Sequence, residues 1–351
     1  MIEPHAELAN RLRTHAQLCA QPGYSLFYAI LLERMADDVE AGGPTWGLLE
    51  ASVERPPRDM PQLRVLGFVH REVLSGRAPS LAVHYPSAEG DGDAVATWPL
   101  VRAMFEERAD EIRPWLDRAP QTNEVGRCAP LAGGFAVVAS ETRLPLRILE
   151  VGASAGLNLR FDRYRYEAGD VASGDPDSPV RFVDLWQGGR PPFDAPFAVV
   201  ERRGCDLSPI DPTTGDGRLL LLGYIWPDQH ERFELLRGAL DIAARVPAAV
   251  DRADALEWVP RQLAVSRTGV ATVVFHSIAL MYFSDEAVER FTAEVTAAGS
   301  RASRAASLAW LRLEGAPHLL HAELRLTTWP GGEERLLATA TFHHGPVQWL
   351  V

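Results

Sequence analysis

Cysteine is scarce in this chain: three of its 351 residues are cysteines, namely Cys19, Cys128 and Cys205. They are odd in number and far apart, and no C-x-x-C pair occurs, so neither a disulfide framework nor a zinc site is predicted. Long apolar runs are also absent: no stretch of about 18 uninterrupted apolar residues occurs, so a membrane-spanning helix is not expected. The opening residues, MIEPHAELANRLRTHAQ, are too charged and polar for a signal peptide. We expect a cytoplasmic protein without a membrane partner.

Basic residues are fewer than acidic ones in this chain. Lysine and arginine contribute 35 residues against 47 for aspartate and glutamate, which gives a formal net charge of −12. This balance opposes attraction to phosphate backbones, and no basic block offsets it, so nucleic acid is not expected as a partner. The pair His318 and His321 has H-x-x-H spacing but no third ligand, so no metal site is predicted. The length fits one large domain or a domain with an appendage, and the oligomeric state stays open.

The apolar pattern changes near residue 140. Before that point, apolar residues recur every three or four positions, which predicts amphipathic helices at 24–41, 63–76, 95–116 and 123–141. After it, short apolar runs alternate with helical stretches, which indicates βαβ units on a parallel sheet. We therefore predict an N-terminal helical cap or lid domain over residues 1–120 and an α/β domain over residues 121–351.

Short apolar runs predict the strands of the second domain. Two of them end the chain as a hairpin, since alternating residues flank the turn sequence PGGEE. The predicted strands are 146–151, 197–203, 248–251, 271–277, 307–314, 322–329 and 335–344. The fold class is therefore α/β, a doubly wound, Rossmann-like and mostly parallel sheet preceded by a helical domain.

The stretch LRILEVGASAGLNLRF, residues 146–161, holds the main functional candidates. Ligands of doubly wound sheets bind at the carboxyl ends of strands where the strand order reverses, and this stretch ends the first predicted strand. Gly152 and Gly156 permit a tight turn, and the N–H groups of a helix predicted to begin near Ala155 favour a negative group. Ser154 and Asn158 complete the loop, either as ligand contacts or as local caps.

Glu150 precedes this loop. A carboxylate at the end of a buried parallel strand is costly without a partner, which favours a functional role. A dinucleotide fits poorly, because its fingerprint G-x-G-x-x-G needs glycine where Ser154 and Leu157 stand, and Glu150 would repel a pyrophosphate. A ligand with charges of both signs fits better. S-adenosylmethionine is one, with a positive amino group and sulfonium and a negative carboxylate.

The segment ILEVGASAGLN resembles the glycine-rich first motif of the class I methyltransferases. That resemblance implies S-adenosylmethionine as cofactor and an antiparallel last strand, and it continues through three later motifs. In RRGCDLSPID it implies that Asp206 binds the ribose hydroxyls, with a turn or N-cap as the alternative. In DRADALEWV it implies that Asp254 and Ala255 face the adenine amino group, with a helix N-cap as the alternative for Asp254. TVVFHSIALMYF resembles the fourth motif, which implies a strand whose end faces the methyl group. His276 at that end is the first candidate for a base, with a buried structural histidine as the alternative.

A second resemblance runs over nearly the whole length. The segments QTNEVGRCAPL, EVGASAGLNLRFDRYRY, GDPDSPV, WPDQHERF and VVFHS resemble the bacterial domain of unknown function 2332 family, which implies no reaction. The spacing departs from ordinary methyltransferases, because Asp206 lies fifty positions after Gly156, whereas about twenty is usual in such nucleotide folds. Residues 162–195 are therefore interpreted as an insertion, either lining a substrate pocket or forming an ornamented loop.

Two further segments supply candidate contacts to a small-molecule substrate. QTNEVGR stands immediately before the first strand and can present Asn123, Glu124 and Arg127. YIWPDQHERF can place Trp226 and Asp228 in an acceptor pocket, with Asp228 as a second catalytic candidate. For both segments, the ordinary chemistry of helix N-termini is an alternative explanation.

Two other classes of function remain open. GASAG satisfies G-x-S-x-G, the turn that presents the nucleophilic serine of α/β-hydrolases, so Ser154 is a candidate nucleophile. His343 or His344 would then serve as the base, and Asp254 or Asp228 would orient it. Against an esterase, a hydrolase needs several strands before this turn, where the chain has a helical pattern. A non-catalytic nucleotide-binding scaffold is the third hypothesis, because no acceptor-specific motif is visible.

Overall fold

A computed structural model describes residues 3–55, 59–118, 121–315 and 321–351. The chain forms two compact units. One contains the described residues of Met1–Thr122 together with Thr214–Phe233, and the other contains those of Asn123–Thr213 and Glu234–Val351. We call them the helical unit and the sheet unit. The segment 214–233 groups with the N-terminal helices although it lies between two strands in the sequence.

Most α-helices begin at a proline or just after a polar capping residue. In chain order they are α1 (Pro4–Cys19), α2 (Leu26–Glu40), α3 (Pro44–Leu49), α4 (Pro61–Leu74), α5 (Pro79–Ala82), α6 (Ala94–Glu107), α7 (Ala109–Ile112), α8 (Cys128–Thr142), α9 (Gly215–Gly223), α10 (His230–Ala243), α11 (Ala255–Leu263) and α12 (Asp285–Gly299). The predicted helices are confirmed by α2, α4 and α8 and by α6 with α7. Among the described residues, no helix combines the length and apolar character needed to cross a membrane.

The core of the helical unit follows from the spacing of its apolar residues. In α2, Leu31, Leu32 and Met35 are fully buried; Met35 follows the two leucines by four and three positions, so the three residues lie on one face of the helix. Ser25 caps this helix, because its Oγ accepts a hydrogen bond from the Tyr28 N–H at 3.0 Å. The apolar stripe and the cap together explain why the sequence forms a helix here.

Every predicted strand is present, with ends shifted by a few residues, and the insertion adds short strands that the sequence analysis missed. The strands are β1 (Leu146–Val151), β2 (Arg165–Ala168), β3 (Val171–Ser173), β4 (Arg181–Val183), β5 (Trp186–Gly188), β6 (Val199–Asp206), β7 (Ala249–Arg252), β8 (Ala271–Ser277), β9 (Leu308–Gly315), β10 (Ala322–Trp329), β11 (Glu333–Ala340) and β12 (Val347–Trp349). β1 and β8 have the predicted bounds.

Among the described residues, the main sheet has nine strands in the order β5-β12-β11-β10-β9-β8-β1-β6-β7. The strands from β9 to β7 in this order run parallel. β10, β11 and β12 each pair antiparallel with their predecessor, and β5 pairs parallel with β12 at the edge. The mostly parallel sheet is thus confirmed, and its antiparallel part is larger than one last strand.

Helices cover both faces of the sheet. On one face, α11 and α12 pack over Leu149 and Val274 in one apolar cluster. Adjacent residues of a strand point to opposite faces, so Glu150 and Phe275 point to the other face. On the other face, the ring of Phe275 contacts that of Phe135 in α8, with centroids 5.0 Å apart. Glu150 pairs in register with Phe275 and therefore lies on the α8 side.

The helix predicted to begin near Ala155 is absent, which corrects the sequence analysis. Gly152, Ser154 and Gly156 have φ angles of 69°, 52° and 67°, in the left-handed region that an α-helix excludes. A short 3₁₀ helix follows at Asn158–Arg163, and a separate three-stranded sheet comes next in the order β3-β2-β4. Within 152–198, all of which is described, no α-helix connects β1 to β6.

Candidate functional site at the carboxyl ends of the strands

The order of the strands reverses beside β1. From β1 the chain adds β6 and β7 on one side and then β8 and β9 on the other. In open α/β sheets, such a reversal leaves a crevice outside the carboxyl ends of the strands, where ligands bind. Val151, Asp206 and Ser277 end the three strands that meet there. The loop that begins with Gly152 and holds Ser154 and Gly156 therefore starts at the reversal.

Glu150 is the most unusual side chain at this position. It is 1% exposed, and its Oε2 atom has no hydrogen-bond partner among the described residues. Burial, followed by the negative charge of Asp206, raises the pKa of Glu150 well above its ordinary value, and a hydrogen bond with the Asn158 side chain opposes this shift. The chain thus places a carboxyl group at the strand end and leaves one of its oxygens unsatisfied, which is costly.

Asn158 connects this carboxyl group to α8. Its Oδ1 accepts a hydrogen bond from the Cys128 thiol, with Sγ 3.2 Å away. Burial raises the pKa of Cys128 well above its ordinary value, so the thiol keeps the proton that it donates. Asn158 therefore has a local structural role as well as its contact with Glu150, and it does not cap an α-helix.

The first half of the loop, residues 152–154, is held by the end of β6. The N–H groups of Gly152 and Ala153 both donate to the Cys205 carbonyl at 3.0 Å. The Ser154 N–H donates to Oδ2 of Asp206 at 2.9 Å, and Oδ1 of the same carboxylate accepts from the Ser208 N–H at 2.8 Å. Asp206 therefore fixes the loop.

The second half of the loop is held by Asn123. Its Oδ1 accepts the N–H groups of Ala155 at 3.2 Å and Leu157 at 3.0 Å, while the Gly156 N–H donates to Ala153 O at 2.7 Å. All N–H groups of residues 152–157 thus have acceptors within the chain. The expectation of free N–H groups that attract an anion is wrong, because the carboxylate of Asp206 and the amide of Asn123 occupy them.

Small side chains let the loop lie directly against neighbouring strands. A Cβ atom on Gly204 of β6 would come within 2.5 Å of the Ala153 Cβ. A Cβ atom on Gly156 would come within 2.9 Å of a Val250 methyl group in β7. Glycine is therefore required at these two positions for packing within the chain, whether or not a ligand binds.

Glu124 and Arg127, in the segment before α8, contact the end of β8 and the residues that follow β11. The Glu124 side chain is buried; its Oε1 accepts the Gly126 N–H at 3.1 Å and its Oε2 lies 3.3 Å from Nδ1 of His343. Arg127 donates to the carbonyls of Ser277 and Phe342, both at 3.1 Å. The structure therefore brings Asn123, Glu124 and Arg127 to the strand ends, each with structural partners.

His276 lies on the opposite face of the sheet from Glu150. It pairs in register with Val151, and its ring meets Phe291 of α12 at 5.9 Å. Trp310 Nε1–H, which can only donate, lies 3.0 Å from Nε2, so Nδ1 carries the proton and donates to Glu314 Oε1 at 2.6 Å.

These contacts match the structural alternative for His276. The imidazole is fully buried and both of its nitrogens have partners. The structure does not bring this predicted base together with Glu150, and its role as a base stays a prediction.

Asp254 and Ala255 occupy the start of α11. Oδ1 of Asp254 accepts the Leu256 N–H at 2.7 Å, which makes Asp254 the N-cap of that helix. The Asp254 side chain is exposed, whereas Ala255 is buried. Capping accounts for this aspartate, and an adenine contact stays a prediction.

Trp226 and Asp228 belong to the helical unit. Asp228 Oδ2 accepts the Phe27 N–H at the start of α2, at 3.2 Å, and its Oδ1 has no hydrogen-bond partner among the described residues. Trp226 is buried and packs near Tyr24, with ring centroids 5.5 Å apart. The structure thus groups these two residues with the N-terminal helices.

The sequence analysis overlooked Arg160. Its guanidinium is buried and donates to the carbonyls of Ala155 at 3.3 Å and Gly156 at 2.6 Å, and to Val246 O at 2.8 Å. A positive side chain in the apolar run LNLRF was the signal that could have found it. Arg160 also favours the ionised form of Glu150 by its charge.

Metal ligands and cavities elsewhere in the chain also bear on function. Among the described residues, no group of three or more histidine, cysteine, aspartate or glutamate side chains is placed to hold a metal; His318 of the predicted H-x-x-H pair lies outside them. An open cavity of about 490 Å³ lies beside the first residue of β6, at its amino end, and insertion residues such as Arg163, Ser173 and Phe193 line it. This cavity is at the opposite end of β6 from Asp206.

Comparison with known proteins places the chain in a family. The model of the family described as "Uncharacterized protein conserved in bacteria (DUF2332)" matches residues 9–349. The chain belongs to this family. Neither a curated protein nor a solved structure matches it. DUF2332 membership covers both units and assigns no chemistry, so the function has to be argued from the site.

Proposed function

We propose that the sheet unit binds S-adenosylmethionine at the carboxyl ends of β1 and β6, and that the protein is a methyltransferase, or a binding protein for this nucleoside, that acts on a small molecule. The proposal depends on Glu150. This carboxyl group is buried at the reversal of strand order and keeps one oxygen without a partner among the described residues. A buried carboxyl group is costly unless a hydrogen-bonded cation accompanies it, and a ligand amino group would meet that need.

The hydrogen bonds of the loop restrict the class of ligand. A phosphate needs free donors, and the N–H groups of residues 152–157 already have acceptors. A ligand that brings a cation to the strand end fits this loop better than a dinucleotide does. The sulfonium nucleoside has such a cation in its amino group.

The proposed roles of the side chains follow from their contacts. Glu150 would bind the amino group, whose charge would lower the pKa that burial raises. Asp206 would bind ribose hydroxyls: each of its oxygens accepts one backbone N–H and keeps a further lone pair. Asn123 would keep the loop in place. When bound, S-adenosylmethionine supplies a methyl group on a positively charged leaving group, so alignment and exclusion of water are the protein's main tasks.

Calorimetric titration tests the proposal. The intact chain is titrated with S-adenosylmethionine and with its demethylated product, and the titrations are repeated on Glu150→Gln and Asp206→Asn. Both substitutions keep the shape of the side chain, and circular dichroism verifies the fold. Glu141→Gln makes the same chemical change at an exposed glutamate paired with Arg335 and is the matched control.

We expect one-to-one binding to the unaltered protein and to Glu141→Gln. Loss of a charge-assisted hydrogen bond, about 1.5–3 kcal/mol, corresponds to binding weaker by roughly ten- to a hundredfold in Glu150→Gln. The proposal would be overturned if the unaltered chain did not bind S-adenosylmethionine. It would also be overturned if Glu150→Gln and Asp206→Asn bound this nucleoside with the same affinity as the unaltered chain. Incubation with labelled cofactor and cell metabolites then separates the two forms of the proposal, because a labelled product identifies an enzyme and binding alone identifies a scaffold.

One observation favours the serine esterase as a second candidate: Ser154 has a φ angle of 52°, and a strained turn is a feature of G-x-S-x-G nucleophiles. Two observations oppose it. No strand precedes β1 in the described parts of residues 3–145. The N–H after the nucleophile, which belongs to Ala155 and would bind the oxyanion, already donates to Asn123.

A further inference from the structure

A serine and a histidine of the helical unit are hydrogen bonded to each other. The Oγ atom of Ser87 lies 2.7 Å from Nε2 of His70. The other ring nitrogen, Nδ1, lies 3.2 Å from the carbonyl oxygen of Gly223. Since a carbonyl only accepts, Nδ1 carries the proton and Nε2 accepts from the Ser87 hydroxyl. The arrangement is that of a nucleophile, a base and a group that orients the base.

The histidine is held rigidly. His70 is fully buried, and its ring contacts those of Tyr85 and Phe233, with both pairs of centroids 5.5 Å apart. The Gly223 carbonyl accepts from Nδ1, which directs Nε2 at Ser87. Such support is what a catalytic base requires.

The serine is presented on a tight turn. Ser87 lies in a short 3₁₀ helix, Pro86–Ala88, and is partly exposed. The N–H groups of Ala88 and Gly90 both donate to the Tyr85 carbonyl at 2.9 Å. A side chain at Gly90 would come within 2.5 Å of the Tyr85 nitrogen, so the turn has no room to relax. A partly exposed serine on a closely packed turn therefore lies next to a buried base.

We propose that Ser87 is a nucleophile activated by His70 and that it takes acyl groups from activated esters, such as aryl esters or thioesters. The Ser87 oxygen forms a bond to the acyl carbon, the bond from that carbon to the phenolate or thiolate breaks, and the proton passes through Nε2 to the leaving group. The oxygen of a water molecule then forms a bond to the acyl carbon while Nε2 takes a proton from that water. The bond from the acyl carbon to the Ser87 oxygen breaks, Nε2 returns the proton to that oxygen, and the carboxylic acid leaves. Nothing in this proposal depends on S-adenosylmethionine binding.

The restriction to activated esters follows from the environment of the base. Burial lowers the pKa of His70 to about 4, so the imidazole is neutral near pH 7 and free to accept a proton. The same burial makes it a weak base, and among the described residues its ring nitrogens are hydrogen bonded to the Gly223 carbonyl and the Ser87 hydroxyl rather than to a carboxylate. Leaving groups that need little protonation suit such a base better than alkoxides or amines do.

Labelling with a fluorophosphonate probe tests the proposal on the intact chain, with the modified peptide identified by mass spectrometry. Ser87→Ala removes the nucleophile. His70→Gln keeps a donor for the Gly223 carbonyl and an acceptor for Ser87 but cannot take up a proton. Ser75→Ala is the matched control, because Ser75 is a partly exposed serine of the same unit that donates to the Glu72 carbonyl. Circular dichroism confirms that each variant is folded, and hydrolysis of a p-nitrophenyl ester provides a second readout.

We expect the probe on the Ser87 peptide, no adduct in Ser87→Ala, and labelling slowed at least about a hundredfold in His70→Gln, the usual contribution of a general base. Ser75→Ala and the unaltered chain should label alike. If the probe labels Ser87 in the folded chain no faster than in the urea-unfolded chain, the proposal is overturned. His70 is then a buried structural histidine that does not activate Ser87. Labelling of His70→Gln at the unaltered rate, or an adduct on Ser154 instead, would equally overturn the proposal.

Discussion

Asn123→Ala is the most direct test of how the loop at the strand ends is held. The Asn123 side chain is buried, and its single Oδ1 atom accepts the N–H groups of Ala155 and Leu157. Both donor residues are themselves buried, at 2% and 0% exposure, so water cannot easily replace the lost acceptor. Alanine therefore leaves two buried donors without partners.

The size of the effect follows from those two donors. An unsatisfied buried polar group costs about 1–3 kcal/mol, so we expect the free energy of unfolding to fall by about 2–6 kcal/mol. A typical domain has only about 5–15 kcal/mol in total, so this is a large fraction. Urea unfolding followed by tryptophan fluorescence measures the loss. Hydrogen exchange locates it, because the amides of Ala155 and Leu157 should lose protection first.

Asn10→Ala is the control for this experiment, since Asn10 is exposed on α1 and surface substitutions usually change stability by about 0.5 kcal/mol or less. If Asn123→Ala unfolds at the same urea concentration as the unaltered chain, and its loop amides stay protected, the assignment of Asn123 as the acceptor for the loop is wrong.

Three further perturbations have defined outcomes. Because burial raises the pKa of Glu150, the folded state keeps a proton that the unfolded chain releases above the ordinary pKa of 4.5. The free energy of unfolding should therefore fall as the pH rises from that value, and Glu150→Gln should flatten this dependence in thermal melts. Identical pH profiles for the variant and the unaltered chain would contradict this prediction. Glu314→Ala should speed exchange of the Ala279 amide at least about tenfold, since a hydrogen bond to a charged acceptor stabilises by about 1.5–3 kcal/mol, and an unchanged rate would refute the 3.0 Å contact. Asp254→Ala should lower the free energy of unfolding in urea by about 1 kcal/mol, because the N-cap of α11 is lost. An unchanged free energy of unfolding would show that Asp254 does not stabilise α11 as its cap.

The sequence predicted the strands at the candidate site closely. β1 and β8 have the expected bounds because both are mainly apolar runs, and a strand buried on two faces needs such a run. Glu150 was singled out for the same reason: one carboxylate at the end of an apolar strand conflicts with its surroundings, and the structure buries it. Local pattern was sufficient in these cases.

The loop shows where local pattern was insufficient. Glycine and serine after a strand are compatible with a helix N-terminus that binds an anion, and they are equally compatible with a left-handed turn. Asp206 and Asn123, fifty-two and thirty-two positions from the residues they hold, favour the turn by taking up its N–H groups. Acceptors supplied from that distance have no signature in the loop itself.

By itself, the sequence predicted the helices α2, α4, α6 and α8, the strands β1 and β6 to β11, the mostly parallel sheet and the place of Glu150 at a strand end. Each of these depends on the spacing of apolar residues along a few turns or pleats. The tertiary structure alone decided which acceptors pair with the N–H groups of the loop. It also decided that His276 lies on the face of the sheet opposite Glu150, and that the Gly223 carbonyl orients His70, which contacts Ser87. Those facts depend on pairings between distant segments. Hydrogen bonds select such pairings by distance and direction in space, which the order of residues does not record.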